Sequence, residues 1–141
     1  MRLEPTEPKN ESDFFQGLRA RVGYDVYFER VEPSNECGFP DVYFVCRKSG
    51  LEGTIELKFD ERRAPNLKSL LRGNQMAALL EYSQAGGTRR FALCWCNGKV
   101  YLWNTEAFQR AILGYENSWT DLWEWSAEGL SEWLLAHLEV K

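Results

Sequence analysis

With 141 residues, 44% of them hydrophobic and 27% charged, the chain has the composition of one compact globular domain. A formal net charge of −4 argues against a protein that coats nucleic acid through bulk attraction, although a local basic patch could still bind phosphates. No apolar run reaches the roughly 18 residues of a membrane span, and the first residues lack the apolar core of a signal peptide. We therefore expect a cytoplasmic protein with no membrane contact.

Cysteine and histidine are placed where they exclude two familiar kinds of catalytic site. The four cysteines form no CxxC pair, and three of them lie in or beside apolar runs, which is typical of buried reduced thiols. The single histidine, His137, lies in an apolar segment near the C-terminus that is predicted to be helical. A zinc site or a Ser-His-Asp triad is thereby excluded, and any chemistry rests on carboxylates, lysine or a hard metal ion.

The first half of the chain is predicted to form a helix followed by three strands. Residues 1–9 carry two prolines and alternating charge, which indicates a flexible lead. Asn10 or Ser12 can cap a helix that runs to about Val22. Alternating runs of β-forming residues then predict strands over 24–31, 41–46 and 54–59.

The second half is predicted to add helices and a further hairpin. Pro65 marks a break after the third strand, and Asn97-Gly98 between two apolar runs is a strong hairpin signal. The predicted elements are a helix over 74–84, strands over 90–96 and 99–103, a helix over 105–113 and, after a Trp-rich loop, a final helix capped by Ser126. This order favours an α/β fold with one mixed sheet flanked by helices.

Three charged residues stand out in the hairpin of the second and third strands. Side chains alternate across a strand, so Glu56 and Lys58 share one face while the apolar residues of that strand share the other. Asp41 opens the preceding strand, and antiparallel pairing brings its carboxylate towards Glu56. Two converging carboxylates repel each other, and a hard divalent cation relieves that cost. Such a set suits attack of activated water on a phosphodiester, whereas the alternative interpretation is a solvated strand face.

This motif resembles the PD-(D/E)XK signature of the restriction-endonuclease-like nucleases. Pro40-Asp41 is followed, fifteen residues after the aspartate, by Glu56, Leu57 and Lys58. The sequence GFPDV followed by IELK looks most like the virus-type replication-repair nuclease branch (VRR-NUC), whose next helix carries a glutamine, here Gln75.

The resemblance covers about residues 11–96 and implies a restriction-endonuclease-like αβββαβ core. On this interpretation the nuclease core spans 10–103 and includes an extra β-strand. Residues 104–141 would form a C-terminal helical extension packed on the same domain.

The resemblance also implies roles for individual residues. The implied ligands of Mg²⁺ or Mn²⁺ are Asp41, Glu56, the Leu57 carbonyl and Glu11 of the first helix. Lys58 would orient the attacking water and stabilise developing charge, and Gln75 would support the site from its helix. Both Glu11 and Gln75 have a structural alternative, because an acid favours the first turn of a helix and glutamine is a good helix former.

A basic segment follows Lys58 directly and is the candidate nucleic-acid-binding region. It consists of Arg62, Arg63, Lys68 and Arg72. A phosphate backbone that reaches the metal site must run past these cations. The alternative interpretation is a solubilising loop.

The resemblance implies a metal-dependent DNA endonuclease, and we expect a structure-specific one that acts on branched, flapped or junction DNA. We also expect a homodimer, with exposed aromatic residues of the Trp-rich segment as one contact surface. Small nucleases of this kind would suit a bacterium or a phage-infected cell. The alternatives are a non-catalytic nuclease-fold protein that binds nucleic acid or inhibits a partner, and a sequence-specific restriction endonuclease. The last ranks lowest, because few residues remain for reading bases.

Overall fold

A computed structural model of the chain describes residues 6–31, 40–61, 64–115 and 119–140. The helices are α1 (Glu11–Val22), α2 (Leu67–Leu70), α3 (Gly73–Gln84), α4 (Thr105–Leu113) and α5 (Leu130–Leu138). The strands are β1 (Val26–Arg30), β2 (Val42–Cys46), β3 (Glu52–Asp60), β4 (Arg90–Cys96), β5 (Lys99–Trp103) and β6 (Asp121–Glu124).

The described strands form one six-stranded sheet in the order β1-β2-β3-β4-β5-β6. β3 and β4 run parallel, whereas the other neighbouring pairs are antiparallel. A parallel pair needs a crossover connection, which α2 and α3 supply between β3 and β4. The predicted fold class is confirmed: a mixed sheet with flanking helices and, apart from the short α2, the element order αβββαβ from α1 to β4.

The β4–β5 hairpin follows from its two turn residues. Asn97 has φ 51° and Gly98 has φ 79°. Two positive φ values in succession are what a tight two-residue hairpin loop requires, since its twist then matches that of the strands. The turn sets the register, in which Cys96 pairs with Lys99, and both strands have the predicted bounds.

The two faces of the sheet pack against different helices. One face, with Ile55 and Leu57, contributes to a core that also contains Phe14 of α1 and Leu134 of α5. The other face, which includes Ala92, packs against residues of α2, α3 and α4. Because side chains alternate along β3, Glu56 and Lys58 lie on this second face, towards α3.

Three elements begin two or more residues away from their predicted starts: β1, α5 and β3, which begins at Glu52 rather than at residue 54. The first strand begins at Val26, because Gly23–Asp25 form a short 3-10 helix. Ser126 does not cap the last helix: that helix begins at Leu130 after Gly129, whose φ of 85° is the left-handed conformation that glycine adopts without strain.

The segment predicted to be a Trp-rich loop contains the strand β6. It pairs with β5 in the register Val100↔Trp123, so the sheet has two strands beyond the αβββαβ order rather than the one that was predicted. Pairing with β6 satisfies the backbone groups on the outer edge of β5.

Both terminal segments contact the sheet and its helices. Within the predicted lead, Pro8 is buried and Thr6 O accepts a hydrogen bond from Trp125 Nε1 at 3.0 Å. At the other end, the Arg89 guanidinium donates to the carbonyls of Leu138 and Val140. The division at residues 9 and 103 stays a prediction. Among the described helices, none is long and apolar enough to span a bilayer.

Candidate active site

The two acidic residues of the motif meet because β2 and β3 are paired antiparallel. Val42 is opposite Ile55, so the preceding Asp41 lies beside Glu56. Asp41 Oδ2 accepts a hydrogen bond from the backbone N–H of Leu57 at 2.9 Å, which fixes the carboxyl group against β3. The Glu56 side chain is hydrogen-bonded to Asp41 and is only 3% exposed. The structure therefore brings together the two carboxyl groups that the sequence singled out.

Ionising both carboxyl groups of this pair is unfavourable, because Glu56 is buried and the two charges repel each other. Burial raises the pKa of Glu56 most, and the charge of Asp41 and the hydrogen bond to it raise that pKa further, to about 9. The positive charge of Lys58 acts in the opposite direction. In the metal-free protein Glu56 therefore carries a proton at neutral pH.

Gln75, in the first turn of α3, connects the carboxyl pair to Lys58. Its side-chain Nε2 donates to Glu56 Oε2 at 3.1 Å. Its Oε1 accepts from Lys58 Nζ at 3.2 Å and from the backbone N–H of Arg72 at 3.0 Å. The last contact also satisfies an amide at the start of α3, so one buried amide both caps the helix and holds two site residues.

Glu11 reaches the same region from α1, which packs on the face of the sheet opposite to α3. It is the first residue of α1, which begins there because Asn10 caps the helix by accepting from Asp13 N at 2.8 Å. Burial raises the pKa of Glu11 most, followed by the charge of Asp41, while Lys58 and two arginines act to lower it. The structure thus places Glu11 within electrostatic reach of Asp41 and Lys58.

The chemistry of these groups fits a hard divalent cation. Two carboxyl groups close enough to share a hydrogen bond need either a proton or a cation between them, and Mg²⁺ and Mn²⁺ prefer such oxygen ligands. Within the described part of the chain, no three His, Cys, Asp or Glu side chains are already arranged around a metal position. The roles of Glu11 and the Leu57 carbonyl as ligands therefore stay predictions.

Comparisons with known proteins give a likeness of fold and no family. No protein-family model matches the chain, and no curated protein matches it in sequence. One similar solved structure is Hjc from Archaeoglobus fulgidus, a Holliday junction resolvase from an archaeal hyperthermophile. The match is 15% identical, covers 69% of this chain and 77% of the other, and has a TM-score of 0.46. At these values the likeness says nothing about activity.

Two of the four residues of the predicted basic segment are described, and their side chains lie in different places. Arg72 is exposed at the start of α3, within electrostatic reach of Glu11. Lys68, on α2, has its Nζ beside Gly114 at the C-terminal end of α4, where a cation is favoured by the helix dipole. Arg62 and Arg63 lie outside the described residues, so their part in nucleic-acid binding stays a prediction, as it does for Arg72 and Lys68.

Arg30 is a neighbour of the site that the sequence patterns did not single out. Its guanidinium lies 3.4 Å from Glu11 Oε2. The adjacent Val31 N–H donates to the Asp41 carbonyl at 2.8 Å, which ties the end of β1 to the start of β2. The signal that could have found Arg30 is the antiparallel pairing of β1 with β2, whose register opposes Arg30 to Val42, the residue after Asp41.

Chemistry based on cysteine or histidine finds no support at the described positions. Cys46, Cys94 and Cys96 are buried, and none of these three thiols is in a disulfide. His137 Nε2 lies 2.9 Å from Asp121 Oδ2, which also accepts from Trp133 Nε1 at 3.0 Å. These contacts join α5 to β6 and give His137 a structural role.

Proposed function

We propose that the protein is a Mg²⁺- or Mn²⁺-dependent DNA endonuclease of the PD-(D/E)XK type, closest in its motif to the VRR-NUC branch. One observation carries the proposal: the hydrogen-bonded pair of Asp41 and Glu56 lies in one network with Lys58, through Gln75. A solvated strand face would leave these side chains exposed and separate. Here Glu56 and Gln75 are buried, which is costly unless the arrangement has a use.

Asp41 and Glu56 would hold the cation, with the Leu57 carbonyl and Glu11 as further ligands. Bound there, a divalent cation supplies a Lewis acid and lowers the pKa of a coordinated water. The protein's own contribution is orientation: the Leu57 N–H fixes Asp41, and Gln75 Nε2 fixes Glu56.

Lys58 supplies positive charge at the reacting phosphate. Its Nζ is held by Gln75 Oε1 on the face of β3 that carries Glu56, so its charge is directed to the site. A fixed ammonium can donate to the attacking oxygen and stabilise the extra negative charge of the transition state.

The preference for branched, flapped or junction DNA, and a homodimer that makes paired cuts, belong to the proposal. Their support is the likeness of the GFPDV and IELK motifs to small phage-type nucleases. Arg72 lies beside the site where a DNA backbone would leave it. The proposed location is the cytoplasm of a bacterial or phage-infected cell.

The test compares linear duplex, single-stranded, flapped and four-way-junction DNA in Mg²⁺, Mn²⁺ or EDTA. Lys58→Ala is run beside the control Lys99→Ala, which removes a lysine of β5 paired with Glu124. We expect metal-dependent cutting that is lost with Lys58 and kept without Lys99. Cutting by Lys58→Ala at the rate of the unaltered protein would contradict the site assignment.

A second candidate is a nuclease-fold protein that binds nucleic acid without cutting it. It is favoured by the absence of a preformed three-ligand group among the described residues and by a Glu56 that is protonated at neutral pH. Thermal unfolding separates the two candidates. A metal-dependent nuclease gains stability with Mn²⁺, because a ligand that binds only the folded state stabilises it, whereas a non-catalytic binder does not.

A further inference from the structure

Arg90 lies on β4, the strand next to the one that carries Glu56. It is the first residue of β4 and pairs with Thr54, while the next residue on the same face, Ala92, pairs with Glu56. Its guanidinium carbon lies 4.5 Å from the centroid of the Tyr82 ring, on the helix that also carries Gln75. The side chain therefore lies between α3 and the sheet, on the Glu56 side.

Two hydrogen bonds fix the backbone of Arg90, and two further contacts hold the Tyr82 ring against which its guanidinium lies. Its backbone N–H donates to Thr105 Oγ1 at 2.9 Å, and the same hydroxyl donates to the Arg90 carbonyl at 2.6 Å. The Tyr82 hydroxyl accepts from Arg89 N at 2.8 Å. Gly87 lies against the Tyr82 ring so closely that a Cβ there would come within 2.3 Å of it. Both the backbone of Arg90 and the ring beneath its guanidinium are thus held in place.

A small cavity joins Arg90 to the candidate active site. Its volume is about 10 Å³, and its polar lining residues are Glu56, Gln75 and Arg90. Leu79 and Phe108 contribute apolar walls. A cavity of this size has room for one water molecule, and such a water needs two to four polar partners. Glu56, Gln75 and Arg90 are the polar residues around it.

We propose that Arg90 is a positioning residue of the candidate active site, which acts on Glu56 through one ordered water in this cavity. The water would accept from the guanidinium and donate to a Glu56 carboxyl oxygen. Arg90 would then fix the rotamer of Glu56 and place a positive charge behind it, so that the carboxylate is presented to a divalent cation.

The electrostatics of Arg90 agree with this geometry. Burial lowers the pKa of the Arg90 guanidinium, while Tyr82 and Glu56 act to raise it. A partly desolvated cation interacts more strongly with a buried carboxylate than a surface cation does. Groups that orient a metal ligand from behind affect cation affinity, even though they never touch the cation.

This inference rests on the proposed function, and its test measures cation binding apart from cutting. Calorimetric titration of Mn²⁺ compares the unaltered protein with Arg90→Met, Arg90→Lys and the control Arg110→Met, which removes an exposed arginine paired with Glu106 on α4. We expect Arg90→Met to weaken Mn²⁺ binding on the order of tenfold. Arg90→Lys should recover part of the loss, and Arg110→Met should change nothing.

A kinetic measurement separates a positioning role from DNA contact. For Arg90→Met, half-maximal cutting should need more Mn²⁺, whereas KM for DNA should stay unchanged. A raised KM at saturating Mn²⁺ would overturn the inference, as would Mn²⁺ affinity equal to that of the unaltered protein. If the unaltered protein bound no Mn²⁺, the proposed function would fail and the inference with it.

A high-resolution crystal structure of the unaltered protein tests the water directly, whether or not the variants fold. We expect an ordered water within hydrogen-bonding distance of both Glu56 and Arg90. A dry cavity would overturn the bridging arrangement.

Discussion

Gln75 Nε2 donates to Glu56 Oε2 at 3.1 Å, and both side chains are 3% exposed. A buried carboxyl group on a strand is thereby held by a buried amide from the helix that crosses over it. The amide oxygen is also occupied, by Lys58 and by the backbone N–H of Arg72. The site and the start of α3 therefore form one structural unit, and changes to either should affect both.

Gln75→Ala should cost stability as well as activity. The substitution leaves the Glu56 oxygen and the Arg72 amide without their partner, and a buried polar group without a partner costs about 1–3 kcal/mol. Urea unfolding of the metal-free protein measures the loss. Gln84→Ala, at the exposed end of the same helix, is the control and should stay within about 0.5 kcal/mol of the unaltered protein. Equal stabilities for the two variants would mean that the Gln75 contacts contribute nothing.

Glu56→Gln should raise the stability of the metal-free protein at alkaline pH. The pKa of Glu56 is raised from its ordinary 4.5 to about 9 in the folded state. Its contribution is therefore fully present below about pH 4.5 and is lost as pH rises towards 9. Glutamine stays neutral at every pH, and it can donate to Asp41 and accept from Gln75. Glu56→Gln therefore avoids the loss of unfolding free energy, which is on the order of a few kcal/mol at pH 9.

Thermal unfolding in EDTA between pH 4 and pH 9 measures this difference. The melting temperatures of Glu56→Gln and the unaltered protein should converge at acid pH and separate at alkaline pH. Glu132→Gln, at an exposed position of α5, controls for the lost surface charge and should follow the unaltered protein. Parallel curves for all three proteins would show that Glu56 titrates normally.

Binding of Mn²⁺ at pH 7 should release close to one proton per site. Glu56 is protonated in the metal-free protein, and a carboxyl ligand must be ionised to hold a cation. Titration calorimetry in two buffers that differ in ionisation enthalpy gives the number of protons released. Binding without proton release would place the cation away from Glu56.

Arg72 and Lys68 should respond differently to charge reversal. The exposed Arg72 side chain is within electrostatic reach of Glu11, whereas Lys68 Nζ lies beside Gly114 at the end of α4. Arg72→Glu should weaken DNA binding and flatten the dependence of log K on log salt by about one unit or more, since each phosphate contact contributes roughly that amount. Lys68→Glu should leave the slope unchanged. A slope for Arg72→Glu equal to that of the unaltered protein would indicate that Arg72 does not contact the DNA backbone.

The elements that the sequence predicted best are those whose signals are local. The Asn97-Gly98 turn defined β4 and β5 because two positive φ values leave few other conformations open to the chain. The alternation of β3 put Glu56 and Lys58 on one face, and antiparallel pairing with β2 put Asp41 beside them.

Non-local pairings account for what the sequence missed. β6 is a strand because it pairs with the outer edge of β5. Its four residues carry no local pattern that predicts this pairing. The nearness of Arg90 to Glu56 depends on the parallel register of β3 and β4, which the crossover through α2 and α3 sets. Gln75 was selected for its position in a motif, but its simultaneous hold on Glu56, Lys58 and Arg72 is a tertiary contact.

The sharing of Gln75 between the helix start and the site gives the protein an internal probe. The backbone N–H of Arg72 and Lys58 Nζ both donate hydrogen bonds to Gln75 Oε1. The NMR resonance of the Arg72 amide proton therefore responds to any movement of Gln75. Its rate of exchange with solvent follows the opening of that bond. A single main-chain signal, from the unaltered protein and without any added dye, would thus register both the arrival of a cation and the fraying of α3.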